Sequence, residues 1–138
     1  FMADHAEHLD QMVLPSLKVG AVVLSDRYAD STAAYQGVTL QGILPHPVFW
    51  IQEVFRPWNA VPDMTLLFLL DPERALKRLG SRPGKEKFER LEFLRSVEKN
   101  FQRLASAEPE RFVLIDAAQD EEAVAQDAAG AVLDLLSR

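Results

Sequence analysis

The sequence predicts an α/β domain built on a parallel sheet covered by helices on both faces. Three observations carry this expectation. Apolar runs at "GAVVL" (20–24), "MTLLFLLD" (64–71) and "RFVLID" (111–116) lack a polar side, as strands buried on both faces do. Segments with helical apolar spacing lie between these runs, the alternation expected of parallel strands joined by crossover helices. Each run also ends at an aspartate, Asp26, Asp71 or Asp116. In open α/β sheets ligands bind beyond the carboxyl ends of the strands.

Taken in order, Phe1 to about Val19 reads as a helix, with apolar residues at Phe1, Ala6, Leu9, Met12, Val13 and Leu17. Pro15 should kink or restart it, and Gly20 is a natural stop. Ala21–Leu24 follows as a strand. Thr32–Leu40 reads as a helix with Asp30 or Ser31 as its N-cap, and Pro47–Phe55 as a second, aromatic-rich helix. "RPWNAVPD" (56–63) has turn chemistry. After the second strand come a short helix over Pro72–Arg78, with Pro at its start, a break at "LGSRPGK" (79–85), and a long amphipathic helix over Glu86–Ala105. The third strand and a terminal helix over Glu121–Leu136 complete a single domain over 1–138. Three strands are few for such a domain, and the chain opens inside a helical pattern with no capping residue. The expectation is that the first βα unit or units are missing.

Composition narrows the function. The 138 residues carry a net charge of −6 and no cysteine. An acidic balance argues against coating nucleic acid. Without cysteine there is no disulfide or thiolate chemistry, which fits a cytoplasmic setting. No apolar run approaches the ~20 residues of a membrane helix.

Two stretches carry candidate chemistry. In "SDRYADSTAAYQG" (25–37), Asp26 and Arg27 end an apolar run just before a helix. Burying charge is costly without a partner, an Arg fork suits phosphate, and helix N-termini attract anions. A structural ion pair is the equal alternative on spacing alone. For Asp71 and Asp116 a cap or turn role is the commoner meaning. In "KRLGSRPGKEK" (77–87), Lys77, Arg78, Arg82, Lys85 and Lys87 face one acid, Glu86, among two glycines and a proline. Such a segment between helices is a candidate mobile lid over an anion, at about 79–87, or an ordinary solvated loop. His5 and His8 have a ligand-like spacing, but no Cys or nearby third His supports zinc. Phe1 and His5, one helical turn apart, present a stacking face and a polar edge to a cavity, or simply pack.

These stretches, together with "FMADHAEH", "PDMTLLFLLDPERALKR", "KFERLEFL" and "IDAAQDEEAV", resemble the thymidylate kinase family over essentially all 138 residues. The resemblance implies a P-loop α/β fold with a parallel sheet, and ATP- and Mg²⁺-dependent phosphorylation of dTMP to dTDP. It implies that Phe1 stacks on thymine and that His5 stands where an arginine usually reaches the base carbonyl. Asp26 corresponds to an acid near magnesium and Arg27 to the arginine on the dTMP phosphate. Ser31, Thr32 and Gln36 correspond to base-side positions, and Tyr35 to an aromatic that crowds the sugar. Arg78 falls near adenine, Arg82 and Lys85 in the lid, Glu89 at an acid after the lid that helps hold magnesium, and Asp116 before the adenine-side wall. It further implies a homodimer through helices matching 1–17 and 33–56, with no nucleic-acid or membrane partner. Two features depart from the family: His5 lacks the arginine's fork and permanent charge, and G-x-x-x-x-G-K-[ST] does not occur in the chain. A strand–loop–helix unit carrying that loop, plus another strand, amounts to on the order of 60 residues expected upstream. The chain alone is therefore expected to be inactive. The alternatives are another nucleoside or nucleotide kinase, or a non-catalytic nucleotide-binding or dimerising relative or fragment.

Overall fold

A computed structural model describes residues 2–78 and 85–138, with side chains outside that description at 85–88. The chain divides into two compact units, Phe1–Val61 and Pro62–Arg138.

The first unit is helical. Its leading helix runs as α1 (Met2–His8), a π-helical turn (Leu9–Val13) and α2 (Leu14–Lys18). The predicted disturbance at Pro15 takes the form of that turn. Proline lacks an N–H and its ring crowds the carbonyl four residues back, and a widened turn relieves both. Leu9 and Val13 on the turn are buried. Gly20, at φ 79°, ends α2 as expected. Its N–H bonds Leu17 O at 3.0 Å, and Ala21 N–H bonds Ser16 O at 3.0 Å, the paired closure that a left-handed glycine permits.

The predicted strand over Ala21–Leu24 does not form. Its first N–H already closes α2, and no partner strand pairs with it among the described residues. Val22 and Leu24 are 60% and 81% exposed. Apolar β-branched sequence favours extended backbone, but a strand exists only where a neighbour supplies the ladder.

α3 (Ala29–Thr39) begins three residues before the predicted Thr32. Its N-cap is Tyr28, with no side-chain cap bond, so neither Asp30 nor Ser31 has the expected role. α4 (Pro47–Phe55) has the predicted limits. Ala33, Ala34 and Gly37 form a small, buried face on α3, while Ile51 and Phe55 are buried on α4. Small residues let two helices approach closely, so that the larger side chains fill the space between them.

In the second unit, β1 (Thr65–Leu69) pairs in parallel with β2 (Phe112–Asp116), register Thr65↔Phe112 through Leu69↔Asp116. The fold class is thus α/β with a parallel sheet flanked by helices, as predicted. Arg111 pins the start of the ladder. Its Nε and Nη2 donate to the Glu108 carboxylate at 3.0 and 3.1 Å, and its Nη1 donates to Thr65 Oγ1 at 2.6 Å. Burial runs out of step along the pair: Leu67 is buried opposite Leu114 at 56% exposure, and Ile115 opposite Phe68 at 50%.

α5 (Pro72–Arg78) and α7 (Glu121–Leu136) match their predicted limits, and α6 (Lys85–Ala107) extends the predicted helix slightly at both ends. Residues 85–87, read from sequence as the end of a lid, are instead the first turn of α6; 79–84 lie outside the described residues. Asp71 caps α5 by accepting from Arg74 N–H at 3.0 Å, and Asp120 caps α7 by accepting from Ala123 N–H at 3.0 Å. No described helix is long and apolar enough to cross a membrane.

Leu76 on α5 is 0% exposed, whereas Leu133 on α7 is 65% exposed. Leu76→Ala is expected to cost about 2–5 kcal/mol of unfolding free energy, and Leu133→Ala less than about 0.5 kcal/mol. Urea titration of both variants checks the contrast.

Candidate functional site

Four sequence-predicted residues share one face of α3. At ~100° per residue, Ser31, Thr32, Tyr35 and Gln36 fall within an arc of ~140°. Ala33, Ala34 and Gly37, the buried residues of the helix, occupy the opposite arc. One side of α3 is therefore committed to packing and the other carries its polar and aromatic groups. Gln36 Oε1 accepts from the Thr39 hydroxyl at 3.0 Å, which holds its amide along the helix.

Arg27 enters this face from the preceding bend. Its φ of 71° is left-handed, a conformation that costs a non-glycine residue ~1–3 kcal/mol and persists only where the surroundings fix it. Ser25 Oγ donates to Arg27 O at 2.8 Å across the bend. The Arg27 guanidinium carbon stands 5.0 Å from the centroid of the Tyr35 ring, over its face. The bend leads directly into the N-terminal turn of α3, the end of a helix dipole that favours negative charge. A cation and a helix N-terminus thus adjoin, an arrangement suited to a phosphate. Asp26 beside them is exposed.

His5 has other partners. Its Nε2 is 2.9 Å from Asn59 Oδ1. Its ring lies 4.5 Å from Tyr28, 5.1 Å from Phe55 and 5.6 Å from Trp58, centroid to centroid. Trp58 is itself fixed by its indole N–H to Val54 O at 2.8 Å. One imidazole nitrogen is therefore engaged inside an aromatic cluster. Sequence reasoning missed Tyr28, Trp58 and Asn59 here, because "RPWNAVPD" reads as a plain turn. The available signal was a Trp-Asn pair directly following an aromatic-rich helix.

The second unit gathers Arg78 and Asp116 at one loop. Arg78 Nη1 donates to Ala117 O at 3.3 Å, and Asp116 Oδ1 accepts from Ala118 N–H at 2.8 Å. Arg74, one helical turn before Arg78, donates to Ala118 O at 3.4 Å. That i, i+4 basic pair at the end of α5 was legible in the sequence but passed over. Glu89 lies on α6, in the second unit, whereas Asp26 belongs to the first. Phe1 and Arg82 lie outside the described residues, as does the Lys85 side chain.

Among the described residues no three His, Cys, Asp or Glu side chains converge as a metal site. This donor set fits magnesium in one particular way. Mg²⁺ keeps several waters and binds through one or two carboxylates plus substrate phosphates, without a protein cage. Asp26, an exposed carboxylate beside the cationic bend, is a residue that could supply one such ligand.

The Tyr28 hydroxyl is buried without a hydrogen-bond partner among the described residues. Burial raises its phenol above the ordinary value of 10.0; the nearby Ala60 backbone, which falls short of a hydrogen bond, opposes the rise, and the Asp30 carboxylate adds to it. The folded state therefore favours the neutral phenol. That preference is fully present below pH ~10 and is lost as pH rises, because the unfolded chain ionises first. Tyr28→Phe is expected to raise stability by about 1 kcal/mol at neutral pH by removing an unpaired hydroxyl, and to flatten the alkaline decline. Urea midpoints at about pH 8 and about pH 10.5 test both. A lower midpoint for Tyr28→Phe at the first pH would show that the hydroxyl has a partner.

Comparison with known proteins gives the lineage. A family model described as thymidylate kinase matches residues 1–128. The chain is similar to a probable thymidylate kinase of Methanosarcina acetivorans, 48% identical over 138 residues, covering 100% of this chain and 67% of that protein. It is similar to one from Methanocorpusculum labreanum, 51% identical over 124 residues, covering 90% of this chain and 63% of the relative. A third, from Natronomonas pharaonis, is 46% identical over 138 residues, covering 100% of this chain and 69% of the relative. The chain thus spans about two thirds of the length of these relatives, and on these sequence matches it belongs to the thymidylate kinase family, whose members are P-loop NTPases.

Proposed function

We propose that the protein transfers the γ-phosphoryl group of ATP to the phosphate of dTMP, with magnesium, in the cytoplasm. The observation that carries this reading is Arg27, presented by a left-handed bend at the head of α3 and lying over Tyr35. Phosphoryl transfer asks for positioning and charge neutralisation more than covalent help. Arg27 orients the acceptor phosphate. Phe1, His5, Ser31, Thr32 and Gln36 take the base side, and Tyr35 crowds the sugar. Arg78 and Asp116 serve the adenine side. Arg82 and Lys85 offset charge on the transferring group, and Asp26, with Glu89, holds magnesium. When bound, magnesium supplies charge neutralisation at the phosphates.

The protein is further proposed to act as a homodimer. Met12, Leu17, Ile43, Phe49 and Trp50 are exposed large apolar side chains on the first unit, in the segments expected to pair. Dimerisation would remove that surface from water.

A second reading is favoured by one observation: the 138 residues contain no G-x-x-x-x-G-K-[ST] to wrap ATP phosphates. By themselves they would then bind nucleotide or dimerise without turnover. A coupled ADP-release assay on material of verified mass 15.5 kDa separates the two. No dTMP-dependent turnover is expected from the 138-residue chain alone, and robust turnover would overturn the assignment of the phosphate machinery. In active protein, Arg82→Ala should lower kcat by about 2–4 kcal/mol of transition-state stabilisation with little change in dTMP affinity. A change confined to KM for ATP would move that role to Arg78 or Lys85.

A further inference from the structure

We propose that Tyr35 is a positioning residue for Arg27, coupling the phosphate-binding cation to the helix face that meets the rest of the nucleotide. This rests on the reading above that Arg27 takes a nucleotide phosphate. Within its bend, the Arg27 carbonyl accepts from the Ser25 hydroxyl at 2.8 Å. That bond fixes the backbone and leaves the long side chain to be oriented by something else. The guanidinium carbon lies 5.0 Å from the Tyr35 ring centroid. A cation is attracted to the negative face of an aromatic ring, and the planar guanidinium stacks there while its edge N–H groups stay free to donate. Tyr35 is itself held on α3, whose opposite face is packed through Ala33, Ala34 and Gly37. The helix that carries the ring is therefore fixed by packing, and the ring face limits the conformations a four-bond side chain must abandon when an anion arrives.

The role separates from sugar discrimination by comparing two ligands. Thymidine and dTMP share base and sugar, and only dTMP has the phosphate that Arg27 takes. Calorimetric affinities for both are measured with wild type, Tyr35→Leu and Tyr35→Phe. The positioning role predicts that Tyr35→Leu weakens dTMP ~2–5-fold more than thymidine, the worth of an exposed cation–π contact, and that Tyr35→Phe, which keeps the ring face, restores most of the difference. In an Arg27→Ala background, Tyr35→Leu should affect both ligands equally. Equal losses for the two ligands in Tyr35→Leu alone would leave Tyr35 as a sugar contact only and overturn the proposal. A wild type that binds dTMP no better than thymidine would overturn the phosphate role of Arg27, and with it this coupling. A ligand-free measurement keeps the two failures apart. NMR of the free protein should show Arg27 side-chain protons shifted upfield by the Tyr35 ring, a shift kept in Tyr35→Phe and lost in Tyr35→Leu. Its absence from wild type would refute the contact itself, whatever the enzyme binds.

Discussion

A left-handed backbone at Arg27 is the constraint on which the first unit depends. The chain leaves α2 through the Gly20 closure, passes the exposed Val22 and Leu24, and must then turn into α3. At φ 71° the turn is made by a residue whose Cβ disfavours it, where glycine would be at ease. A glycine would carry no guanidinium. The bend exchanges local backbone comfort for the placement of a cation at the head of a helix, a trade that recurs at functional sites. Everything on the polar face of α3, from Ser31 to Gln36, is set in register by where that bend lets the helix begin.

The second unit rests on a different constraint, the parallel pairing of β1 and β2. With Leu69 opposite Asp116, both strands end together, and the first N–H beyond β2, on Ala117, closes onto Leu69 O at 2.9 Å. Asp71 and Asp116 are consumed in local bonds, one capping α5 and one closing the turn after β2. The bland reading of these two acids is the structural one, and it leaves Asp116 able to shape the loop that Arg74 and Arg78 grip from α5.

His5 shows how distant segments of the first unit hold one ring. The imidazole lies among Tyr28, Phe55 and Trp58, with Asn59 on its Nε2. Aromatic rings pack well against its flat faces, and the Asn59 oxygen selects a donor at Nε2.

The sequence by itself determined the parts of the protein written in local chemistry. Periodicity and punctuation set α4, α5 and α7 at their observed limits, Gly20 as a stop, Asp71 as a cap, and an Asp-Arg pair next to a helix start. The same residues carried the family resemblance. Tertiary structure decided what depends on partners distant in the chain. Ala21–Leu24 is as strand-like as β1 in composition, yet among the described residues β1 pairs with β2 and Ala21–Leu24 pairs with no strand, because the ladder is a property of two segments and no single run encodes it. The start of α3 moved to Ala29 because the Arg27 bend, and no side-chain cap, sets where helical bonding begins. The Tyr28–His5–Asn59 cluster joins residues up to 54 positions apart, a proximity that only the packing of the first unit creates.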